Sequence, residues 1–306
     1  MKCRKCGQKA VINLQHHNIS YCQDHFIEWM QTQTERTIQK YRMFSKQERL
    51  LVAVSGGKDS LSLWDVLCQL GYQADGIYLD LGINEQNHYS SDSAEITRSF
   101  AEQHGLKLTI IDIKKEYGES IPEMGARTKR GHTKPCSQCG LVKRYLLNKT
   151  AMDMNYDVIA TAHNLDDEAA FLFTNVTHWS LDYLGRQHPL LPATTGFARK
   201  AKPFCMFYER ETAAYAILRG IKYIYTECPY SVGSKQTRNK RYLNLMEDEQ
   251  PGFKTQFYGG YLRAVQAGAF PKQQESAQDL EGKRCERCGQ PTQSDGLCTF
   301  CRLMDH

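Results

Sequence analysis

Short apolar runs alternate with segments of helical periodicity through the middle of the chain. The apolar run at 50–54 predicts a buried parallel strand, and the apolar spacing that follows it to residue 70 predicts a helix. Further strands and helices are predicted in alternation at 75–81, 92–104, 106–112, 141–155 and 156–162. Strands separated by helices predict a parallel sheet covered on both faces, so the expected fold class is α/β with a doubly wound sheet.

The pattern changes towards both ends of the chain. Residues 31–45 have amphipathic spacing and predict a helix that links an N-terminal segment to the sheet. Residues 271–284 are polar with few apolar anchors, which indicates a flexible linker to a C-terminal segment.

Composition restricts the class of protein. The chain has 306 residues, of which 41% are hydrophobic and 24% charged, so it can bury a sizeable core and general disorder is not expected. No apolar run reaches the roughly 18 residues of a membrane span, and no secretory signal follows Met1. We therefore expect a cytoplasmic protein without a membrane partner, whose 12 cysteines are metal ligands or catalytic thiols rather than disulfides.

Each end carries four candidate zinc ligands in two closely spaced pairs. The ligand sets are Cys3, Cys6, Cys22 and His25 at the N-terminus, and Cys285, Cys288, Cys298 and Cys301 at the C-terminus. Paired thiolates or imidazoles at this spacing suit a closed tetrahedral zinc site, so two structural zinc ions are predicted. His16 and His17 could compete with His25, but the spacing favours His25 and we expect both to face solvent.

These features divide the chain into five parts. We predict an N-terminal zinc module, a linking helix, a catalytic domain, a helix with a linker, and a C-terminal zinc module, at 1–30, 31–48, 49–250, 251–282 and 283–306. The zinc modules are too small to bury much core, so metal binding would supply their folding free energy.

A third close pair, Cys136 and Cys139, has no second pair nearby. Its candidate complement is Cys228, which precedes a proline at the end of an element. Three thiolates could hold an iron–sulfur cluster with one open iron or a zinc with one open position, and the pair could instead be a redox dithiol. Cys68 and Cys205 lie among apolar residues and are expected to fill core.

A glycine turn joins the strand at 50–54 to the helix behind it. It consists of Ser55, Gly56, Gly57, Lys58, Asp59 and Ser60. Paired glycines allow close backbone approach to an anion, and the helix start, two hydroxyls and one ammonium favour a phosphate. The motif is neither a Walker A loop nor G-x-G-x-x-G, and it resembles the PP-loop of the ATP pyrophosphatase superfamily. An ordinary glycine turn would leave the serines and the Lys-Asp pair unexplained.

Polar residues also follow two other predicted strands. Asp80 ends one, and His163 with the acidic run 166–168 follows another. Since ligands bind at the carboxyl ends of parallel strands, these groups could bind Mg²⁺, orient ATP or transfer a proton. Capping of a helix by Asn164 or Asp166 explains about half of them without any ligand.

Taken in order, the motifs resemble the TtuA branch of the TtcA/TtuA family of PP-loop tRNA thiolation enzymes. The matching segments are the N-terminal C-x-x-C and C-x-x-H, the PP-loop, C-x-x-C-G-x-x-K-R at 136–144, H-N-L-D-D-E-A at 163–169, E-C-P-Y at 227–230 and the C-terminal double C-x-x-C. The resemblance implies a 4Fe–4S cluster on Cys136, Cys139 and Cys228, and catalytic roles for Lys143 and Asp167, with Asp166 adjoining the latter.

The same resemblance implies an activity. ATP with Mg²⁺ would adenylylate uridine O2, and sulfur delivered through the cluster would replace that oxygen. It further suggests the T-loop uridine at position 54 as the tRNA target and a thiocarboxylated ubiquitin-like protein as the sulfur donor. We also expect a homodimer.

The net charge of +5 is small, so we expect local basic patches, rather than the charge of the whole protein, to bind RNA. Candidate phosphate contacts are Arg127, Lys129, Arg130, Lys134, Arg199, Lys200, Lys202, Lys235, Arg238, Lys240, Arg241, Lys283, Arg284 and Arg287. Tyr145, Tyr230 and Tyr242 could stack a base, with core packing as the alternative.

Three other functions compete with this hypothesis. They are a PP-loop thiolase for an anticodon-loop uridine or cytidine, a PP-loop ligase without a cluster, and a non-catalytic zinc-ribbon RNA-binding protein. The ligase would not need Cys136 and Cys139, and the RNA-binding protein would leave the PP-loop unexplained.

Overall fold

A computed structural model describes residues 1–84, 88–128, 135–231, 233–270 and 283–305 of the chain. Its strands are β1 (Ile12–Leu14), β2 (Ile19–Tyr21), β3 (Arg49–Val54), β4 (Gln73–Asp80), β5 (Leu108–Asp112), β6 (Val158–Ala160), β7 (Leu190–Leu191) and β8 (Arg199–Ala201). Its α-helices are α1 (Gln23–Lys40), α2 (Lys58–Gln69), α3 (Tyr89–Gln103), α4 (Ile113–Tyr117), α5 (Ile121–Ala126), α6 (Cys136–Asp153), α7 (Leu165–Thr177), α8 (Leu181–Leu184), α9 (Glu209–Leu218), α10 (Lys235–Glu249), α11 (Phe253–Gln266) and α12 (Thr299–Leu303).

Six strands form the central sheet, in the order β5-β4-β3-β6-β8-β7. The pairs from β5 to β8 are all parallel, and β7 adds an antiparallel edge. The predicted α/β fold is therefore confirmed. The sequence did not predict β7 or β8, because strands of two and three residues are too short to show a period.

Both faces of the sheet are covered, as predicted. Along β3, Leu50, Val52 and Val54 belong to one apolar core and Leu51 to the other, as expected when successive side chains point to opposite faces. The first core also holds the buried side of α1, α2 and α9, whereas the second lies under α6 and the C-terminal cysteines.

The helix predicted at 31–45 is α1, which begins at Gln23 and ends at Lys40. Cys22 is its N-cap, so the N-terminal ligand set leads directly into the helix. Phe26, Met30 and Ile38 are fully buried, and this apolar stripe fixes the helix against the sheet domain.

The C-terminal module packs against α6. The rings of Phe300 and Tyr145 are stacked with centroids 3.6 Å apart and an interplanar angle of 8°. Asn148 donates a hydrogen bond to Gln290 at 3.0 Å. Residues 271–282 of the predicted linker lie outside the described residues.

Among the described residues, no helix combines the length and the apolar character needed to cross a membrane.

Candidate active site

The PP-loop lies where β3 ends and α2 begins. Gly56 has a φ of +73°, and a Cβ at this position would lie 2.8 Å from the carbonyl oxygen of Ser93. Glycine is therefore required by both conformation and space. Ser60 Oγ accepts from the Ser55 N–H at 3.1 Å and donates to the Gly57 oxygen at 3.0 Å, which closes the loop around the start of α2. Such a loop directs backbone N–H groups towards an anion.

A cavity of about 440 Å³ connects the PP-loop to Cys228. Gly57, Lys58 and Asp59 line one side of it, and Cys228 lines another. The fold thus brings together two motifs that are far apart in sequence. The cavity is large enough for part of a nucleotide or a base, since ligand sites in proteins begin at roughly 300 Å³.

The three mid-chain thiols lie on two neighbouring segments. Cys136 and Cys139 occupy the first turn of α6, and Cys228 precedes the short 3₁₀ turn Pro229–Ser231. Cys136 Sγ lies 3.6 Å from the Tyr230 oxygen, which joins the two segments. Burial raises the pKa of Cys228, and the neighbouring Cys139 thiol acts in the same direction.

The three mid-chain thiols form a less compact set than the two terminal ligand sets. Among the described residues, only the two terminal sets have three or more His, Cys, Asp or Glu ligand atoms all within 4.8 Å of one another. Thiolates that bind different irons of one cluster need to be farther apart than thiolates on one ion. The donor set of three cysteines without a fourth protein ligand also suits a cluster with one open iron.

Lys143 follows Cys139 by one helical turn on α6 and is half-buried. Its positive charge lowers the pKa of Cys228, opposing the effect of burial. The ammonium group is therefore near the Cys228 thiol.

The two neighbouring aspartates of the acidic run have different surroundings. Asp166 is buried, forms an ion pair with Lys254 and accepts a hydrogen bond from the Glu209 N–H at 2.8 Å. Asp167 is only half-buried, and its Oδ1 lies 2.6 Å from Lys240 Nζ. Asn164 caps α7 in a reciprocal capping box with Asp167. The capping explanation is thus correct for Asn164, while Asp167 keeps one carboxylate oxygen directed at a lysine.

Asp80 and His163 lie at strand ends, as expected. Val54 pairs with Tyr78, so Asp80 lies two residues beyond that pair, beside the PP-loop, and its Oδ1 accepts from the Gly82 N–H at 3.0 Å. His163 Nδ1 lies 3.1 Å from Thr161 Oγ1. His163 is exposed at the surface, but partial desolvation and the positive charge of Lys202 lower its pKa.

Two charged residues that the sequence did not mark as ATP ligands join the PP-loop to Asp167. Glu209 Oε1 lies 2.8 Å from Lys58 Nζ, and Glu209 Oε2 lies 3.0 Å from Lys240 Nζ. Burial would raise the pKa of Glu209, but Lys240 and Lys58 lower it to about 2. Nothing in the local sequence of Glu209 indicates this role, and Lys240 was predicted only as an RNA contact.

The terminal ligand sets are assembled as predicted. In each set the four ligand atoms lie within 4.8 Å of one another, and His25 Nδ1 lies 3.1 Å from Cys22 Sγ. Burial acts to raise the thiol pKa, but backbone N–H donors lower the pKa of both Cys3 and Cys285 to about 6. Two thiols that ionise readily in four-ligand clusters fit tetrahedral zinc.

The expectation that His16 faces solvent is wrong. Its side chain is 4% exposed, and its Nε2 lies 3.3 Å from Glu211 Oε1. The ring packs on Tyr208 with centroids 4.3 Å apart. His16 therefore joins the N-terminal module to α9, whereas His17 is exposed as expected.

Several predicted RNA contacts are internal. Arg199 pairs with Glu48, Lys202 pairs with Glu168 at 2.8 Å, and Tyr145 is stacked on Phe300. These charges are neutralised by partners distant in sequence, so the 199–202 group is not a free basic patch. Lys235, Arg238, Arg241 and Tyr242 are exposed on α10. Lys129, Arg130 and Lys134 lie outside the described residues.

Comparison with known proteins extends these observations. Residues 2–27 match the N-terminal LIM domain of 2-thiouridine synthetase TtuA, and residues 30–226 match the PP-loop domain. The tRNA-5-methyluridine(54) 2-sulfurtransferase of Thermus thermophilus is 44% identical over 305 residues, covering 100% of this chain and 91% of that protein. The protein of the same name from Pyrococcus horikoshii is 40% identical, covering 99% of this chain and 93% of that protein.

A solved structure agrees with the fold. The U34-tRNA thiolase NcsA from Methanococcus maripaludis, solved with its 4Fe–4S cluster, superposes with a TM-score of 0.79 at 25% identity, covering 99% of this chain and 95% of that one. The domain matches and the full-length relatives confirm the resemblance seen in the motifs: the chain belongs to the TtuA group of 2-thiouridine synthetases within the PP-loop family.

Proposed function

We propose that the protein is an ATP-dependent tRNA-uridine 2-sulfurtransferase. The observation that carries this proposal is the single cavity lined by the PP-loop on one side and Cys228 on the other. An ATP site and a three-thiol site that share one cavity suit a reaction in which activation and sulfur transfer occur on the same base. The names of the relatives that are 40–44% identical agree with this reaction.

The first step activates the base. Uridine O2 attacks the α-phosphorus of ATP, the bond to pyrophosphate breaks, and O2 becomes an AMP ester. The PP-loop N–H groups and Lys58 hold the departing phosphates, and Mg²⁺ would offset their remaining charge. Asp59, Asp80 and Asp167 are the carboxylates at the strand ends that could hold the ion.

The second step exchanges oxygen for sulfur. A new bond forms from sulfur to C2 of the base, the bond from C2 to oxygen breaks, and AMP leaves with that oxygen. When bound by Cys136, Cys139 and Cys228, a 4Fe–4S cluster supplies an iron without a protein ligand, which is suited to holding inorganic sulfur. Lys143, near Cys228, stabilises negative charge that develops on the leaving group. Asp167 provides an anion that can orient Mg²⁺ or accept a proton.

We further propose the T-loop uridine at position 54 as the target, since relatives named for position 54 are 40–44% identical over nearly the whole chain, whereas the U34 thiolase is 25% identical. A thiocarboxylated ubiquitin-like donor, a homodimer and a cytoplasmic location complete the proposal. Lys235, Arg238 and Arg241 on α10 are exposed and supply phosphate contacts for tRNA.

The test is anaerobic thiolation of a tRNA transcript with ATP, Mg²⁺ and sulfide, followed by mass spectrometry of the nucleosides. Lys143→Ala should lower turnover by about 10²-fold or more, as expected when a group that stabilises the transition state is lost. Lys149→Ala on the same helix is the matched control, because Lys149 pairs with Asp153 on the surface. Near-normal turnover of Lys143→Ala would remove this lysine from the mechanism.

The target position is tested with two altered transcripts. One carries cytidine at position 54 and an intact anticodon loop, and the other carries cytidine at position 34 and an intact T-loop. Only the second should gain 2-thiouridine. Thiolation of the first transcript alone would assign the enzyme to the anticodon instead.

A further inference from the structure

Five charged side chains form a continuous chain of ion pairs that begins at the PP-loop. In order they are Asp59, Lys58, Glu209, Lys240 and Asp167, with contacts of 3.0, 2.8, 3.0 and 2.6 Å. Glu209 lies at the centre and binds one lysine with each carboxylate oxygen. The positive charge of Lys58 is therefore already neutralised by two carboxylates. A polyphosphate gains little by binding this ammonium group unless one of the two carboxylates moves away.

Glu209 is the carboxylate that can leave. It occupies the first turn of α9, and its side chain is 38% exposed, the largest exposed fraction in the chain of pairs. Asp59 is fixed by hydrogen bonds from Asn164 Nδ2 and Thr212 Oγ1. Asp167 is fixed by the Asn164 N–H at 3.2 Å through the capping box. If Glu209 turns towards solvent, each lysine still keeps one anchored carboxylate and stays in place.

The position of Lys240 also fits a phosphate contact. Thr237, one turn earlier on α10, lines the same 440 Å³ cavity as Lys58 and Asp59. Lys240 reaches the same Glu209 carboxylate as the PP-loop lysine. A triphosphate that extends from the PP-loop can therefore contact both ammonium groups. Its oxygens would take the place of the Glu209 carboxylate oxygens.

We propose that Lys240 is the second cation for the β- and γ-phosphates of ATP, and that Glu209 is an internal anion that holds Lys58 and Lys240 in position until ATP displaces it. This inference rests on the proposed use of ATP. Exchange of one carboxylate for a polyphosphate keeps both lysines paired throughout, so neither charge is left unpaired in a partly buried site. The return of Glu209 then competes with pyrophosphate and assists its release.

The test measures binding to the metal-loaded protein, using Mg·ATP, Mg·pyrophosphate and AMP as probes in isothermal titration calorimetry. Lys240→Gln should weaken ATP and pyrophosphate by about 10- to 100-fold, the usual effect of one charge-assisted contact, and leave AMP unchanged. Glu209→Gln should bind ATP several-fold more tightly than the wild type, because a competing anion is gone. Lys240→Arg should recover most of the lost affinity.

The direction of the Glu209→Gln effect separates this role from simple support of the loop. If Glu209 only stabilises the two lysines, Glu209→Gln weakens ATP binding, and the proposal is wrong. Equal weakening of AMP and ATP by Lys240→Gln would also overturn it, since AMP lacks the outer phosphates. Lys115→Gln is the matched control, because it removes the same charge from an exposed position on α4 that does not line the cavity.

The wild-type titration distinguishes the two levels of the proposal. A wild type that fails to bind Mg·ATP contradicts the proposed function and this inference together. If the wild type binds ATP but the ATP affinities of the variants do not follow the expected order, only the roles of Glu209 and Lys240 are contradicted.

Discussion

Replacement of Glu211 by glutamine should make the protein more stable in mildly alkaline solution and have little effect in mild acid. Glu211 is 1% exposed, and its Oε1 is the one buried side-chain oxygen or nitrogen without a hydrogen bond among the described residues. Burial raises its pKa from 4.5 to about 8, and the nearby carboxylates of Asp166 and Glu247 act in the same direction. Burial also lowers the pKa of His16 to about 3, so the imidazole opposite Glu211 is neutral and cannot compensate an ionised carboxylate.

The magnitude follows from linkage between protonation and folding. Because the folded-state pKa lies above the unfolded value, the native protein holds a proton between about pH 4.5 and 8 that the unfolded chain has lost. The free energy of unfolding therefore falls as pH rises through this window. Each pH unit contributes about 1.4 kcal/mol, which gives roughly 5 kcal/mol in full and a few kcal/mol after local relaxation around the charge.

Glutamine removes the titration. Its amide oxygen can accept from the Tyr208 N–H, as Glu211 Oε2 does at 2.9 Å. The assay is urea unfolding of the zinc-loaded wild type and Glu211→Gln at pH 5.5 and pH 8.5, followed by circular dichroism. Effects of pH on the zinc ligands are common to both proteins and cancel in the difference.

The difference in stability between variant and wild type should grow by a few kcal/mol from pH 5.5 to pH 8.5. Glu116→Gln, at an exposed position, is the control and should show no such growth. A constant difference between the two proteins at both pH values, or a wild type that is the more stable at pH 8.5, would refute the reasoning.

Two further predictions concern the metal sites. Cys228→Ala should lose or strongly weaken an oxygen-labile visible absorbance in anaerobically purified protein, whereas Cys68→Ala, at a partly buried core position, should keep it; an unchanged spectrum in Cys228→Ala contradicts the three-thiol site. Cys285→Ser should lower the zinc content by about one ion per chain and weaken tRNA binding while sparing ATP binding, and elemental analysis that finds unchanged zinc contradicts the C-terminal site.

The central part of the fold was predictable because its signals are local. The apolar run of β3, the glycine turn and the apolar face of α2 lie within one short segment, and each has a definite physical cause. The start of α1 was predicted eight residues too late, because the knuckle at Cys22 and His25 was interpreted as separate from the helix. In the structure the same residues provide the ligands and the first turn.

Features that depend on distant partners were not predictable from the sequence. Arg199 and Lys202 look like a basic surface until Glu48 and Glu168, which neutralise them, are seen beside them. Glu209 and Lys240 were missed for the same reason, since the ion pairs that join them to the PP-loop exist only after α9 has packed on α2 and α10 on α7. The burial of His16 likewise depends on Tyr208, almost two hundred residues away.

The stack of Phe300 on Tyr145 imposes an order on the biosynthesis of the protein. The ribosome releases Cys136 and Cys139 long before Phe300, so the face of α6 that packs on the C-terminal module is bare while the rest of the chain is made. Modules of this size commonly fold only when their thiols take up a metal ion. Zinc uptake by the proposed C-terminal site would therefore complete the support of α6 after the rest of the chain has been made.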